Sequence, residues 1–211
     1  MAENKDPTKV AAFHITDVAN LSSIVRQGGL LADSVMVGRS HANIGYDHIK
    51  QRRLTHKRVT CCPGQPFVGE FVPFYFCDRS IMLYVVNCGR TGRPAGCQTS
   101  ILHLVCRAST LAGLGQDWAI SDGNASAEAA LFSNDLNALN ELNWTAINAR
   151  YWNDVSHQKQ AEFLVKGSVP WSAVELIGCY DDAMVTNVRA ILGAAGSPHV
   201  PRIEVKRTWY Y

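Results

Sequence analysis

Apolar residues recur along this chain with two different periods, and the switches between them mark its elements. Ala11 to Ile15 reads as a strand that runs directly into a helix, where Val18, Leu21, Ile24 and Val25 recur at helical spacing. Thr16 or Asp17 can cap that helix, and Gly28-Gly29 stops it. Phe71 to Phe76 is a strand candidate interrupted by Pro73, followed by a short helix or strand from Ser80 to Val86. Ile101 to Cys106 is predicted as a strand, with Leu102, Leu104 and Cys106 on one face and His103 on the other. Gln160 to Val165 and Val174 to Tyr180 are further strands. Asp182 to Ala194 is a helix stopped by Gly193 or Gly196, and Ile203 to Tyr210 closes the chain as an edge strand.

Two stretches lack that order. Residues from about Ser34 to Thr60 are polar, basic and punctuated by glycine, which predicts a partly helical excursion outside the core. Residues 111 to 150 start with glycines and continue as a helix-like stretch rich in Ala, Asn and Leu. No repeat, low-complexity tract or linker divides the chain, so residues 1–211 read as a single domain. The sum is a mixed α/β or α+β domain with a largely antiparallel or split sheet. The helices are too few and too irregularly placed for a doubly wound parallel sheet.

Composition narrows this further. A chain of 211 residues that is 47% apolar can fill one core, which excludes disorder as a description of the whole. No stretch approaches the roughly 20 apolar residues of a membrane helix. Met1 to Lys9 is polar, with no apolar segment behind a basic start, so a soluble, cytoplasmic protein is expected. The seven cysteines are odd in number and form no C-x-x-C pair, which predicts reduced structural thiols. The histidines are scattered, and no metal site is expected.

The net charge of +2 says little, but its distribution is uneven. Arg39, Lys50, Arg52, Arg53, Lys57 and Arg58 share one segment with Asp47 as its only acid, either a solvated face or a phosphate-contacting element. Gln116 to Asn148 carries five acids and no Lys or Arg. No G-x-G-x-x-G, G-x-x-x-x-G-K-[ST] or G-x-S-x-G motif is present. What stands out is Glu162 among apolar neighbours. Ala161, Phe163 and Val165 would share one strand face, and Glu162 and Leu164 the other. Such a carboxylate is paired, exposed, or held in a cleft. Phe13-His14-Ile15-Thr16, at a strand-to-helix handover, could be core or could meet a ligand. The same holds for Val72-Pro73-Phe74-Tyr75-Phe76 leading to Met82.

These segments, with Ile49-Lys50-Gln51-Arg52-Arg53, Tyr151-Trp152 and Gln160 to Val165, occur in an order that resembles the DarT-type DNA ADP-ribosyltransferase toxins. The match covers about residues 10 to 210. The resemblance implies the ADP-ribosyltransferase fold, a split, mostly antiparallel sheet with flanking helices and an NAD cleft without a Rossmann motif. It implies transfer of ADP-ribose from NAD to a base, commonly thymidine, in single-stranded DNA, in a monomer partnered by a macrodomain antitoxin. By that resemblance Glu162 is the catalytic glutamate. Arg53 is the arginine that accepts the base proton, with adjacent Arg52 leaving a one-residue ambiguity. His14, Ile15, Thr16, Leu31, Arg53, Tyr75 and Met82 would meet NAD, with residues about 35–53 as the NAD-binding element. Lys50, Asn124, Tyr151 and Trp152 would meet the DNA, with residues about 122–162 as the recognition loop.

One position departs from the pattern. Asn124 stands where the family is expected to have histidine, and Asn cannot take a proton near neutral pH. Gln160, two residues before Glu162, matches a spacing found in protein-modifying relatives. Guanosine in DNA, RNA or protein therefore remain alternative acceptors, and an NAD- or nucleic-acid-binding module is the non-enzymatic alternative. An arginine is a poor base, because its guanidinium stays charged, so orientation and charge stabilisation suit Arg53 better on physical grounds.

Overall fold

The computed structural model describes residues 5–211, so the first part of the polar N-terminus read from Met1 to Lys9 lies outside the described residues. Strand β1 (Ala11–Asp17) leads through one 3-10 turn into α1 (Leu21–Arg26), β2 (Gly29–Leu31) and α2 (Asp33–Met36). Helix α3 (Asp47–Thr55), β3 (Phe71–Tyr75) and α4 (Ile81–Asn87) follow, then β4 (Ile101–Arg107) and α5 (Ala108–Ala112). After these come β5 (Trp118–Ser121), β6 (Phe132–Ser133), α6 (Trp144–Ile147) and α7 (Ser156–Lys159). The chain closes with β7 (Glu162–Lys166), β8 (Ser168–Pro170), β9 (Leu176–Cys179), α8 (Asp182–Ala195) and β10 (Arg202–Val205).

One eight-stranded sheet runs in the order β10-β9-β4-β1-β3-β7-β5-β6, and β2 pairs with β8 beside it. Neighbours are antiparallel except β9 and β10, which are parallel. The expected mostly antiparallel α+β sheet with flanking helices is therefore present.

The pairing is uneven, and that shapes the cleft. β1 pairs with β4 from Ala11↔Arg107 to Asp17↔Ile101, yet it meets β3 only at Phe13↔Tyr75. Pro73 explains part of this. It has no N–H, and in an extended strand a residue's N and C=O point to the same side. The Pro73 carbonyl accepts from His14 Nδ1 on β1 at 2.9 Å, so the missing donor also faces β1. The two strands cannot zip there. The sheet is split at that seam.

The core lies against both faces. Leu102, Leu104, Phe74, Phe163 and Ile177 pack with Leu21 of α1 and Val188 of α8, all essentially excluded from water. Burying each such side chain is worth about 1.5–3 kcal/mol. Leu164 faces the other way, into a cluster with Val59, Val68 and Phe71. The alternation read along residues 161–165 is thus correct. Asp17 accepts from the Ala19 N–H and caps the first helical turn. Gly196, left-handed at φ 64°, ends α8, and Gly193 lies inside that helix.

Several expectations need correction. The strand read over Gln160 to Val165 begins at Glu162, because Gln160 closes the turn after α7. The edge strand read to Tyr210 ends at Val205 and gives way to a 3-10 turn. β5 and β6 lie inside the stretch that reads as helix-like. Val59, in the excursion expected to lie outside the core, is fully buried. Gly28-Gly29 stops α1 and also begins β2. A Cβ on Gly29 would fall 2.0 Å from the Val169 carbonyl, so β8 can approach only a glycine there.

Candidate active site

Glu162 is the first residue of β7, opposite Tyr75 of β3 and Ser121 of β5. Its side chain is 3% exposed and meets Arg53, itself 10% exposed, which reaches in from α3. Arg53 Nη1 donates to Oε2 at 3.1 Å and to Oε1 at 3.4 Å. The Ala125 backbone N–H also donates to Oε1 at 3.4 Å. Neighbouring Arg52 is exposed, so the geometry selects Arg53.

Arg53 keeps unused capacity. Its Nε and Nη2 are buried without a hydrogen-bond partner, and the side chain lines a cleft. A cleft-lining guanidinium with orphaned donors has capacity to receive oxygen atoms from a ligand. Burial pulls the Arg53 pKa down, but the charges of Glu162 and Asp33 outweigh it and hold the group above its ordinary value. Burial and the Glu162 charge push the Tyr75 phenol well up, so it stays a neutral hydroxyl.

The cleft opens at the split between β1 and β3. His14, Ile15, Thr16, Leu31, Lys50, Arg53, Tyr75 and Met82 all line it. Every residue expected to meet NAD is therefore brought together, and so is Lys50, expected to meet DNA. Lys50 Nζ lies 3.1 Å from His41 Nε2 and 3.8 Å from Asp33 Oδ1 inside this cleft. A carbonyl can only accept, so His14 Nδ1 must carry the proton it gives to Pro73. Nε2 is then free of a proton when the ring is neutral. Burial lowers the His14 pKa and favours that neutral form.

The excursion between α2 and α3 closes the cleft from outside, and Asn20 staples it. Its Nδ2 donates to Thr16 Oγ1 at 3.1 Å and to Ala42 O at 2.9 Å, while its Oδ1 accepts from Ala42 N at 2.7 Å. Sequence reasoning missed Asn20, Asp33 and the Ala125 N–H. A polar residue inside a helix start and a backbone amide give no sequence signal.

The residues expected to meet DNA are dispersed. Asn124 sits beside Glu162, where its Nδ2 donates to Gln160 Oε1 at 3.2 Å and its Oδ1 accepts from Ser126 N at 2.9 Å. The Gln160 amide also donates to Ser156 O at 2.9 Å. His157 packs on the adjacent Gly123, with Nε2 3.6 Å from Asp122 Oδ1. Tyr151 is 96% exposed, whereas Trp152 packs edge-on to Tyr84 at 5.5 Å. Lys57 and Arg58 are engaged within the protein: Lys57 Nζ donates to Glu128 O at 2.6 Å, and Arg58 Nη1 donates to Gln65 O at 2.9 Å.

The sequence model of a family described as "ssDNA thymidine ADP-ribosyltransferase, DarT" matches residues 13–211, all of the split sheet but the first two residues of β1. The chain belongs to the DarT family. A "DNA ADP-ribosyl transferase" of Thermus aquaticus is 38% identical over 207 residues, covering 97% of this chain and 90% of the relative. Among solved structures, Thermus sp. 2.9 DarT in complex with ADP-ribosylated ssDNA superposes with a TM-score of 0.91 at 34% identity, covering both chains fully. The same DarT in complex with NAD+ gives 0.87 at 33% identity, over 99% of this chain and all of that one. DarT enzymes are DNA ADP-ribosyltransferases, and this chain has the reaction class of its family.

Proposed function

We propose that this DarT transfers ADP-ribose from NAD to thymidine in single-stranded DNA and acts as the toxin of a toxin–antitoxin pair. The observation that carries the reading is the buried Arg53–Glu162 pair, with unused Arg53 donors, at the side of a cleft lined by His14, Thr16, Tyr75 and Met82. Bound NAD supplies the ADP-ribosyl unit and nicotinamide as a good leaving group. Glu162 accepts a ribose hydroxyl and faces the positive charge that develops at the sugar as the glycosidic bond breaks, the role carboxylates play in glycoside hydrolysis. Arg53 fixes Glu162 and offers its remaining N–H groups to ligand oxygens. Its raised pKa opposes a role as proton acceptor, so orientation and charge stabilisation are its contribution, and the proton that the base nitrogen loses as it bonds the sugar passes to water. Tyr75 and Met82 form a wall against a flat ring, and His14 offers Nε2 as an acceptor.

Residues 1–211 form a single domain in this reading, with about 35–53 as the NAD-binding element and about 122–162 as the DNA-recognition loop. Asn124 and Tyr151 meet the substrate strand there. A single strand suits the reaction because the base edge that reacts is unpaired from the start. No helix among the described residues is long and apolar enough to cross a membrane, and the seven cysteines are free thiols, which fits a reducing cytoplasm. A macrodomain that removes the mark is the proposed antitoxin, and the enzyme works as a monomer.

The test is direct. Labelled NAD is incubated with the protein and, in parallel, single-stranded DNA, duplex DNA, RNA and a protein mixture. Label on thymidine of the single strand alone supports the reading. Label on RNA or protein instead replaces the acceptor, and no transfer to any of them removes the activity.

A further inference from the structure

Leu131 is 70% exposed, yet its backbone is pinned. Its N–H donates to Asp122 Oδ1 at 3.0 Å, and its carbonyl accepts from the Asp122 N–H at 3.2 Å. The next residue, Phe132, pairs with Ser121 on β5, and Lys57 Nζ lies 5.6 Å from the centre of the Phe132 ring while bonded to Glu128 O. A single exposed aliphatic side chain is ordinary on a protein surface. One held out from a braced hairpin, unable to fold away, is not explained by packing.

Its position is informative. Ser121 pairs with Glu162 on one side and with Phe132 on the other. Two inter-strand spacings of about 4.8 Å put Phe132 about 10 Å from Glu162, and Leu131 is the next residue along. The stretch from Gln116 to Asn148 carries five acids and no Lys or Arg, and Lys57, the cation beside Phe132, is bonded to Glu128 O, so phosphate attraction is weak there. An apolar contact to a base is the affinity that an exposed leucine can add on such a surface.

We propose that Leu131 is a wedge that packs against the base next to the target and holds it off the target's face, a specificity-determining contact for a single strand. Aliphatic wedges between bases are a general means of unstacking a strand. Fixing the Leu131 backbone in advance reduces the ordering cost of the contact. This inference rests on the reading of the chain as a DNA ADP-ribosyltransferase.

The experiment uses the full chain and a single-stranded oligonucleotide with one thymidine flanked by 2-aminopurine, whose fluorescence rises on unstacking. Wild-type protein should raise that fluorescence on binding. Leu131→Ala should abolish the rise and increase KM for DNA about tenfold, the size of one lost base contact, with KM for NAD and melting temperature unchanged. Leu131→Met should restore most of both. Transfer by wild type first verifies the reaction; its absence on every single strand removes the activity and not the wedge. With transfer present, a Leu131→Ala protein with wild-type KM for DNA and wild-type fluorescence overturns the wedge.

Discussion

Arg53 Nη1 lies 3.1 Å from Glu162 Oε2 across 109 residues of sequence, and both side chains are buried. Each charge is the other's principal compensation for leaving water. Removing either one exposes the cost of burying its partner, which is a different effect from removing chemistry.

Glu162→Ala is expected to abolish transfer and also to destabilise the fold by about 3–5 kcal/mol, because Arg53 is left charged and buried. A small side chain suited to a strand does not prevent this. Glu162→Gln keeps the volume and one acceptor, so it should lose at least about a hundredfold in rate with a smaller drop in melting temperature. Measuring single-turnover rate and melting temperature for both variants separates the two effects. Near-normal transfer by Glu162→Gln would return Glu162 to a structural role.

Arg53→Ala should lower the rate at saturating NAD and DNA, since its contacts matter most as charge develops. Arg53→Lys should not rescue it, because lysine loses the planar fork that bonds Glu162 while presenting further N–H groups to the cleft. Exposed Arg52→Ala should leave the saturated rate intact and at most flatten the salt dependence of DNA binding by about one unit. A Lys variant as fast as wild type would show that charge alone suffices.

His103 sits between Phe13, Trp209 and Tyr210 and donates from Nε2 to Asp78 O at 2.8 Å. Burial lowers its pKa to about 4. The unfolded chain, with a histidine near 6.5, then binds protons that the folded chain refuses. Stability is whole above about pH 6.5 and falls as pH drops toward 4, by about 3 kcal/mol in total from this group. Urea titrations at pH 7.5 and 4.5 should show that fall in wild type and a clearly smaller one in His103→Leu. Equal falls would assign the acid sensitivity elsewhere.

A Cβ on Gly123 would lie 2.4 Å from His157 Nε2, so Gly123→Ala pushes the His157 ring off the turn that supplies the Ala125 N–H to Glu162. The expected cost is about 1–3 kcal/mol, together with slower transfer. His157→Ala should relieve most of it in the double variant, giving a coupling that a thermodynamic cycle measures. Additive losses would mean that the loss does not arise from the His157 ring.

Patterning exposed the strands whose alternation is long, such as β1, β4 and β7, and the helix α8. It missed β5, a four-residue strand beginning with Trp118 that buries both of its faces and so alternates in nothing. It missed β2 because Gly28-Gly29 reads first as a stop. The site residues around the cleft became legible through resemblance, since no periodicity could bring Arg53 to Glu162. Lys57 shows the opposite limit. It reads as a phosphate contact, but its partner is the Glu128 carbonyl 71 residues away, which no local pattern can announce.

Because β1 and β3 pair only at Phe13↔Tyr75, the mouth of the cleft is a ladder with rungs left out. By the proposed function, a dinucleotide laid across the gap would supply rungs to the protein as well as take contacts from it. Occupancy and cohesion then become one equilibrium, and ligand at a hundred times its Kd adds about 2.7 kcal/mol to the folded state. An enzyme that consumes NAD thereby consumes its own fastening, so as the cellular pool runs down, its lifetime against proteases shortens with it.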